Sequence, residues 1–122
     1  MPEKRILLVE DEPTTYDLLA NVLLGEGYGV DIATTVAEAM HCLEARSYAL
    51  VLSDWRLPDG DGFMIADKAA ALGAKILVMS GYLFQMRGGP ADRHETLMKP
   101  LRPSEVVAAV ERAIGAAGVC DR

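Results

Sequence analysis

The chain carries only two cysteines and two histidines in 122 residues, and Phe, Tyr and Trp together make up 6% of it. Cys42 and Cys120 fit neither a Cys-x-x-Cys nor a Cys/His ligand spacing, so zinc and a disulfide framework are not indicated. Reduced thiols are expected. Positive charge is scarce as well: 12 Lys and Arg stand against 18 Asp and Glu, a net charge of -6. Direct nucleic-acid binding is disfavoured, because phosphate contacts require clustered cations. No apolar run approaches the length of a membrane span. The opening MPEKRILLVEDE sets acids directly behind a short apolar segment and does not read as a secretory signal. A cytoplasmic protein without membrane contact is the expectation.

What is present is an alternation of two kinds of segment within one domain, expected over residues 1–122 with a core of about 4–115 and a short tail. Ile6 to Val9, Ala49 to Leu52 and Ile76 to Met79 are short continuous apolar runs, suited to parallel strands buried on both faces. Val30 and Ile32, and Thr96 to Met98, read as strands nearer the sheet edges. Between them lie helical patterns. Pro13 suits a first helical turn, and Leu18, Leu19, Val22 and Leu23 then form one apolar face up to the Gly25-Glu26-Gly27 stop. Val36, Ala39, Met40 and Leu43 repeat the pattern. Further helices are expected from about Gly62 to Leu72 and from Pro103 through Val106, Val107, Val110 and Ile114 to Gly115.

This β-α alternation implies right-handed crossovers and a doubly wound α/β fold of three layers. Ligands in such folds bind beyond the carboxyl ends of the strands. The strand ends here are Glu10-Asp11-Glu12, Asp54, Ser80 and Lys99-Pro100, so acids, a hydroxyl and an ammonium converge on one edge. Each has a simpler reading as well: Asp54 as a turn or helix cap, Glu10 and Asp11 as caps of the first helix, Ser80 as a turn residue, Lys99 as a solvated charge. His41 and His94 sit in polar segments and are expected to be exposed.

The segments ILLVEDEP, LVLSDWRLPDGDG, ILVMSGY and LMKP, in this order and spacing, resemble the receiver domain of two-component response regulators, over residues 4 to about 115. The resemblance implies a flavodoxin-like fold, a five-stranded parallel sheet in the order 2-1-3-4-5, and a phosphoacceptor at Asp54. It implies Mg²⁺ held directly by Asp11 and Asp54, through water by Glu10, and by the backbone carbonyl of Arg56. Oxygen ligands of this kind suit Mg²⁺, and a cation is needed to bring an anionic nucleophile to a phosphoryl group. Ser80 and Lys99 would sense the phosphoryl group, Pro100 is a cis-peptide candidate, and Arg56 and Tyr82 would tune the phosphoryl lifetime. The partners implied are a histidine kinase or a histidine phosphotransfer protein, with a protein output partner; the oligomeric state is not indicated.

Two departures from the family pattern stand out. Thr96 occupies the position, three before the lysine, where receivers often carry a switching aromatic. In LFQMRGGPADRHE, residues 83–95, Gly88, Gly89 and Pro90 oppose a regular helix, so the fourth helix is expected to be one short turn or a loop. Only AAGVCDR follows Gly115, so no attached effector is expected, and a stand-alone receiver and one from a hybrid histidine kinase both fit. An interaction module of receiver shape that is never phosphorylated is the alternative that Thr96 and the broken helix keep open. An aspartate-nucleophile phosphatase similar to the haloacid dehalogenases fits poorly, because Arg56 stands where that family carries its second aspartate.

Overall fold

The computed structural model describes residues 4–80, 95–99 and 101–115. The elements run β1 (Arg5–Val9), α1 (Pro13–Gly25), β2 (Gly29–Ala33), α2 (Val36–Ala45), β3 (Leu50–Asp54), β4 (Arg56–Leu57), β5 (Gly60–Asp61), α3 (Gly62–Ala71), β6 (Lys75–Ser80), β7 (Glu95–Met98) and α4 (Pro103–Ile114). Five strands form a parallel sheet in the order β2-β1-β3-β6-β7. Counting the sheet strands alone, this is the expected 2-1-3-4-5 order of a flavodoxin-like fold. The expected irregular helix after β6, Tyr82, His94, Pro100 and Cys120 lie outside the described residues.

The alternation of side chains along the strands divides the core in two. Ile6, Leu8, Leu50, Leu52, Leu77 and Met79 point to one face and pack against Leu19, Leu23, Val106 and Val110 of α1 and α4. Leu7, Val9, Val51 and Val78 point to the other, against Val36, Ala39, Phe63, Ile65 and Ala66 of α2 and α3. Because β1, β3 and β6 bury both faces, their sequences are unbroken apolar runs. The two outer strands are less covered, and Ile32 of β2 and Met98 of β7 are exposed.

Helix starts are fixed by local chemistry. The Glu12 carboxylate accepts from Thr14 N at the start of α1, with Pro13 at the first helical position. Thr35 Oγ1 accepts from Glu38 N in α2, and Asp61 accepts from Phe63 N and Met64 N in α3. The first helix is thus capped by Glu12 and not by Glu10 or Asp11. At its other end Gly27, at φ +99°, takes the left-handed turn that frees the chain for β2.

One expectation is corrected. Leu18 does not belong to the apolar face of α1; it is 47% exposed, and Leu19, Ala20 and Leu23 are the buried residues. Apolar residues occupy more of the α1 circumference than the sheet covers, and packing selects the stripe. Among the described residues no helix is long and apolar enough to cross a membrane.

Leu52, in the central strand with no exposed surface, tests this core directly. Leu52→Ala is expected to destabilise by about 2–5 kcal/mol, whereas Leu18→Ala stays within roughly 0.5 kcal/mol; urea unfolding of both variants measures the contrast.

Candidate functional site

The carboxyl ends of β1, β3, β6 and β7 bring the chemistry-bearing residues to one edge. Glu10 and Asp11 follow β1 directly, and the Glu10 backbone N–H donates to the carbonyl of Ala33 at the end of β2 (3.0 Å). Asp54 is the last residue of β3, and the next N–H, that of Trp55, donates to the Met79 carbonyl of β6 (2.8 Å). Lys99 follows β7, its N–H bound to the carbonyl of Ser80 (2.8 Å). Each residue is therefore held by the neighbouring strand.

Glu10, Asp11 and Asp54 each present a carboxylate oxygen within 4.8 Å of the others. Glu10 is 1% exposed, and Asp11 is exposed. The Lys99 ammonium lies 3.1 Å from Asp54 Oδ2 and 3.2 Å from Glu10 Oε1, the latter a hydrogen bond. Burial pushes the Glu10 carboxyl above its ordinary value, and the Asp54 charge adds to this; the Lys99 ammonium and the N–H of Glu12 oppose both without cancelling them. Burial also works against the Lys99 charge, but the charges of Asp54 and Glu10 outweigh it and hold Lys99 above the usual lysine value. One cation thus offsets part of the repulsion among three acids.

Ser80 ends β6 and is buried, and its main chain carries Lys99. Arg56 lies two residues beyond Asp54 on β4, with its guanidinium 5.3 Å from the centre of the Trp55 ring. Thr96 pairs with Val78 in the β6–β7 ladder. Tyr82 and Pro100 are outside the described residues.

Sequence reading missed the loop that carries the site forward. Residues 56–61 form a small antiparallel hairpin, with Arg56 opposite Asp61 and Leu57 opposite Gly60. Arms of two residues are too short to show alternation. Leu57 enters the core beside α2 and α3. At its base the Gly62 N–H donates to the Trp55 carbonyl (2.7 Å), and a Cβ on Gly62 would lie 2.2 Å from the Asp54 carbonyl oxygen. Glycine is required by this close approach, for which the Asp-Gly pair was a signal. Asp59 was missed too: its carboxylate accepts from the N–H groups of Val36 (2.7 Å) and Ala37 (3.1 Å) in the first turn of α2. The Val36 bond is the main reason its carboxyl sits below the ordinary aspartate value.

The family model of the response regulator receiver domain matches residues 6–111. The chain belongs to the response regulator receiver domain family. This receiver is 32% identical to an uncharacterized 14.6 kDa protein in the sodA1 3' region of Leptolyngbya boryana, covering 88% of this chain and 87% of that protein. Its fold is similar to the response regulator TrrA of Thermotoga maritima in complex with Mg(2+)-BeF, with a TM-score of 0.81 at 29% identity over 90% of this chain and 98% of that one. It is also 25% identical, over 85% of its length, to the hybrid signal transduction histidine kinase B of Dictyostelium discoideum, of which it spans 6%. Proteins of about its own length and far longer ones are thus both among its relatives.

A raised carboxyl favours the folded state only while protonated. Without metal, Glu10 therefore contributes stability below its ordinary value of 4.5, and this is lost as pH rises through its higher folded value. Glu10→Gln is expected to stabilise the metal-free receiver at pH 7 and to remove this loss from its profile. Thermal unfolding in EDTA from pH 4 to 8 checks both; a variant less stable than the parent at pH 7 contradicts the electrostatic reading.

Proposed function

We propose that this receiver takes a phosphoryl group from a phosphohistidine onto Asp54 in a Mg²⁺-dependent reaction and passes the signal on by a change of conformation. The observation that carries the reading is the placement of the Lys99 ammonium between Asp54 and Glu10, beside three converging carboxylates. It is the charge distribution that an acceptor carboxylate needs.

The donor set fits a magnesium ion. Three acid oxygens lie within 4.8 Å of one another, and Glu10 is buried with its charge disfavoured, a repulsion that a divalent cation relieves. Asp11 and Asp54 would hold the ion directly, Glu10 through water, and the Arg56 carbonyl would complete the protein ligands. When bound, the ion neutralises charge on the equatorial phosphoryl oxygens. A carboxylate oxygen of Asp54 attacks phosphorus, the N–P bond of the donor breaks, and its electron pair returns to the imidazole. The product is an aspartyl phosphate.

Lys99 then exchanges its contact with Asp54 for one with a phosphoryl oxygen, as a compact ammonium allows. The Ser80 hydroxyl, at the neighbouring strand end, donates to another. These contacts favour the active conformation only by as much as they are stronger there than in the inactive one. Arg56, stacked on Trp55, and Tyr82 would set how readily water reaches the acyl phosphate, and Pro100 would help to aim the lysine as a cis-peptide candidate. The donor partner is a histidine kinase or histidine phosphotransfer protein, and the reaction belongs to the cytoplasm. In this reading the chain forms one receiver domain and is a signalling module whose only chemistry is on itself.

Incubation with Mg²⁺ and acetyl phosphate, followed by intact mass, tests the proposal. The parent is expected to gain one phosphoryl group, Asp54→Asn none, and EDTA to suppress the gain. An unmodified parent under Mg²⁺ would favour the interaction module.

A further inference from the structure

The hairpin β4–β5 is poorly equipped to hold its own shape. Its arms are two residues each, and Pro58 and Asp59 form the turn between them. Two-residue hairpin turns that match strand twist need positive φ at their central residues or at the first of them, which Pro58 cannot adopt, and no non-glycine residue described here has positive φ. A hairpin this short is not stable alone in water. Its position must come from outside contacts.

Two such contacts join it to α2. Both Asp59 carboxylate oxygens accept from the first turn of α2, Oδ1 from Val36 N at 2.7 Å and Oδ2 from Ala37 N at 3.1 Å. Beside this, Gly60 approaches α2 so closely that a Cβ there would lie 3.2 Å from Val36 Cγ2. The same stretch of chain holds the opposite side of the acidic site, because the carbonyl of Ala33 fixes the backbone of Glu10 at 3.0 Å. Residues 33–37 therefore tie Glu10 on one side to the loop bearing Arg56 on the other.

We propose that Asp59 is a positioning residue for the magnesium site: its bidentate grip on the start of α2 sets the height of the β4–β5 hairpin, and with it the Arg56 carbonyl, against Glu10 and Asp11. This rests on the magnesium reading given above. Asp59 does not touch the ion. It acts through the hairpin, so its loss weakens metal binding while leaving the acceptor and Lys99 in place.

Thr35 supplies the control. It caps the same helix through Glu38 N and, among the described residues, makes no hydrogen bond to the hairpin, so a general weakening of α2 affects both variants alike. Mg²⁺ titrations followed by the fluorescence of Trp55, the one tryptophan in the chain, give the affinities, and urea unfolding gives the stabilities. Asp59→Ala is expected to raise the Mg²⁺ Kd about tenfold, as loss of supporting groups around a metal site commonly does. Asp59→Asn, with one acceptor left, falls in between. Thr35→Ala keeps the parental Kd, and saturating Mg²⁺ returns Asp59→Ala to the parental rate of phosphorylation by acetyl phosphate. An unchanged Kd in Asp59→Ala, or an equal rise in Thr35→Ala, overturns the role of Asp59 alone. Absence of any Mg²⁺ response in the parent overturns the magnesium reading and this role with it.

Discussion

The confinement of Glu10, Asp11 and Asp54 to one small space is the constraint on which the rest of the structure bears. Like charges this close repel, and burial of Glu10 deepens the cost by removing water. Such an arrangement persists only if the surrounding fold is stable enough to impose it. A parallel sheet buried on both faces supplies that rigidity, because β1 and β3 are adjacent and in fixed register, with Val9 opposite Ser53. The ends of the two strands cannot separate without breaking the core.

Lys99 shows how the fold limits the repulsion without abolishing it. It reaches the acids from the other side of β6, anchored by the Ser80 carbonyl, and contacts two of the three. Full neutralisation would leave no electrostatic reason to bind a cation. Partial neutralisation leaves residual negative charge among the three acids, with the lysine beside Asp54 and Glu10. In the proposed function, the mutual repulsion of the acids and their affinity for a divalent cation have the same source.

Much of this was legible in the sequence. The unbroken runs ILLV and LVLS announce strands buried on both faces, and the abrupt Glu10-Asp11 and Asp54 that end them mark the edge where ligands bind. The sheet order and family were legible through the spacing of four motifs. Three things were not. The buried stripe of α1 was drawn through Leu18 because Leu18, Leu19, Val22, Leu23 and Leu24 offer several apolar stripes, and only contact with the sheet selects one. The hairpin after Asp54 has arms too short for a periodic signal. Asp59 pairs with α2 across 22 and 23 residues of chain, a contact that turn chemistry alone does not reveal.

The central claim is that Asp54 itself receives the phosphoryl group. Borohydride reduction converts an aspartyl phosphate to homoserine, so treating the protein after incubation with Mg²⁺ and acetyl phosphate and sequencing its peptides locates the acceptor. Homoserine at position 54 is the predicted result. Homoserine at another carboxylate, or at none while phosphoryl groups are bound, contradicts the account.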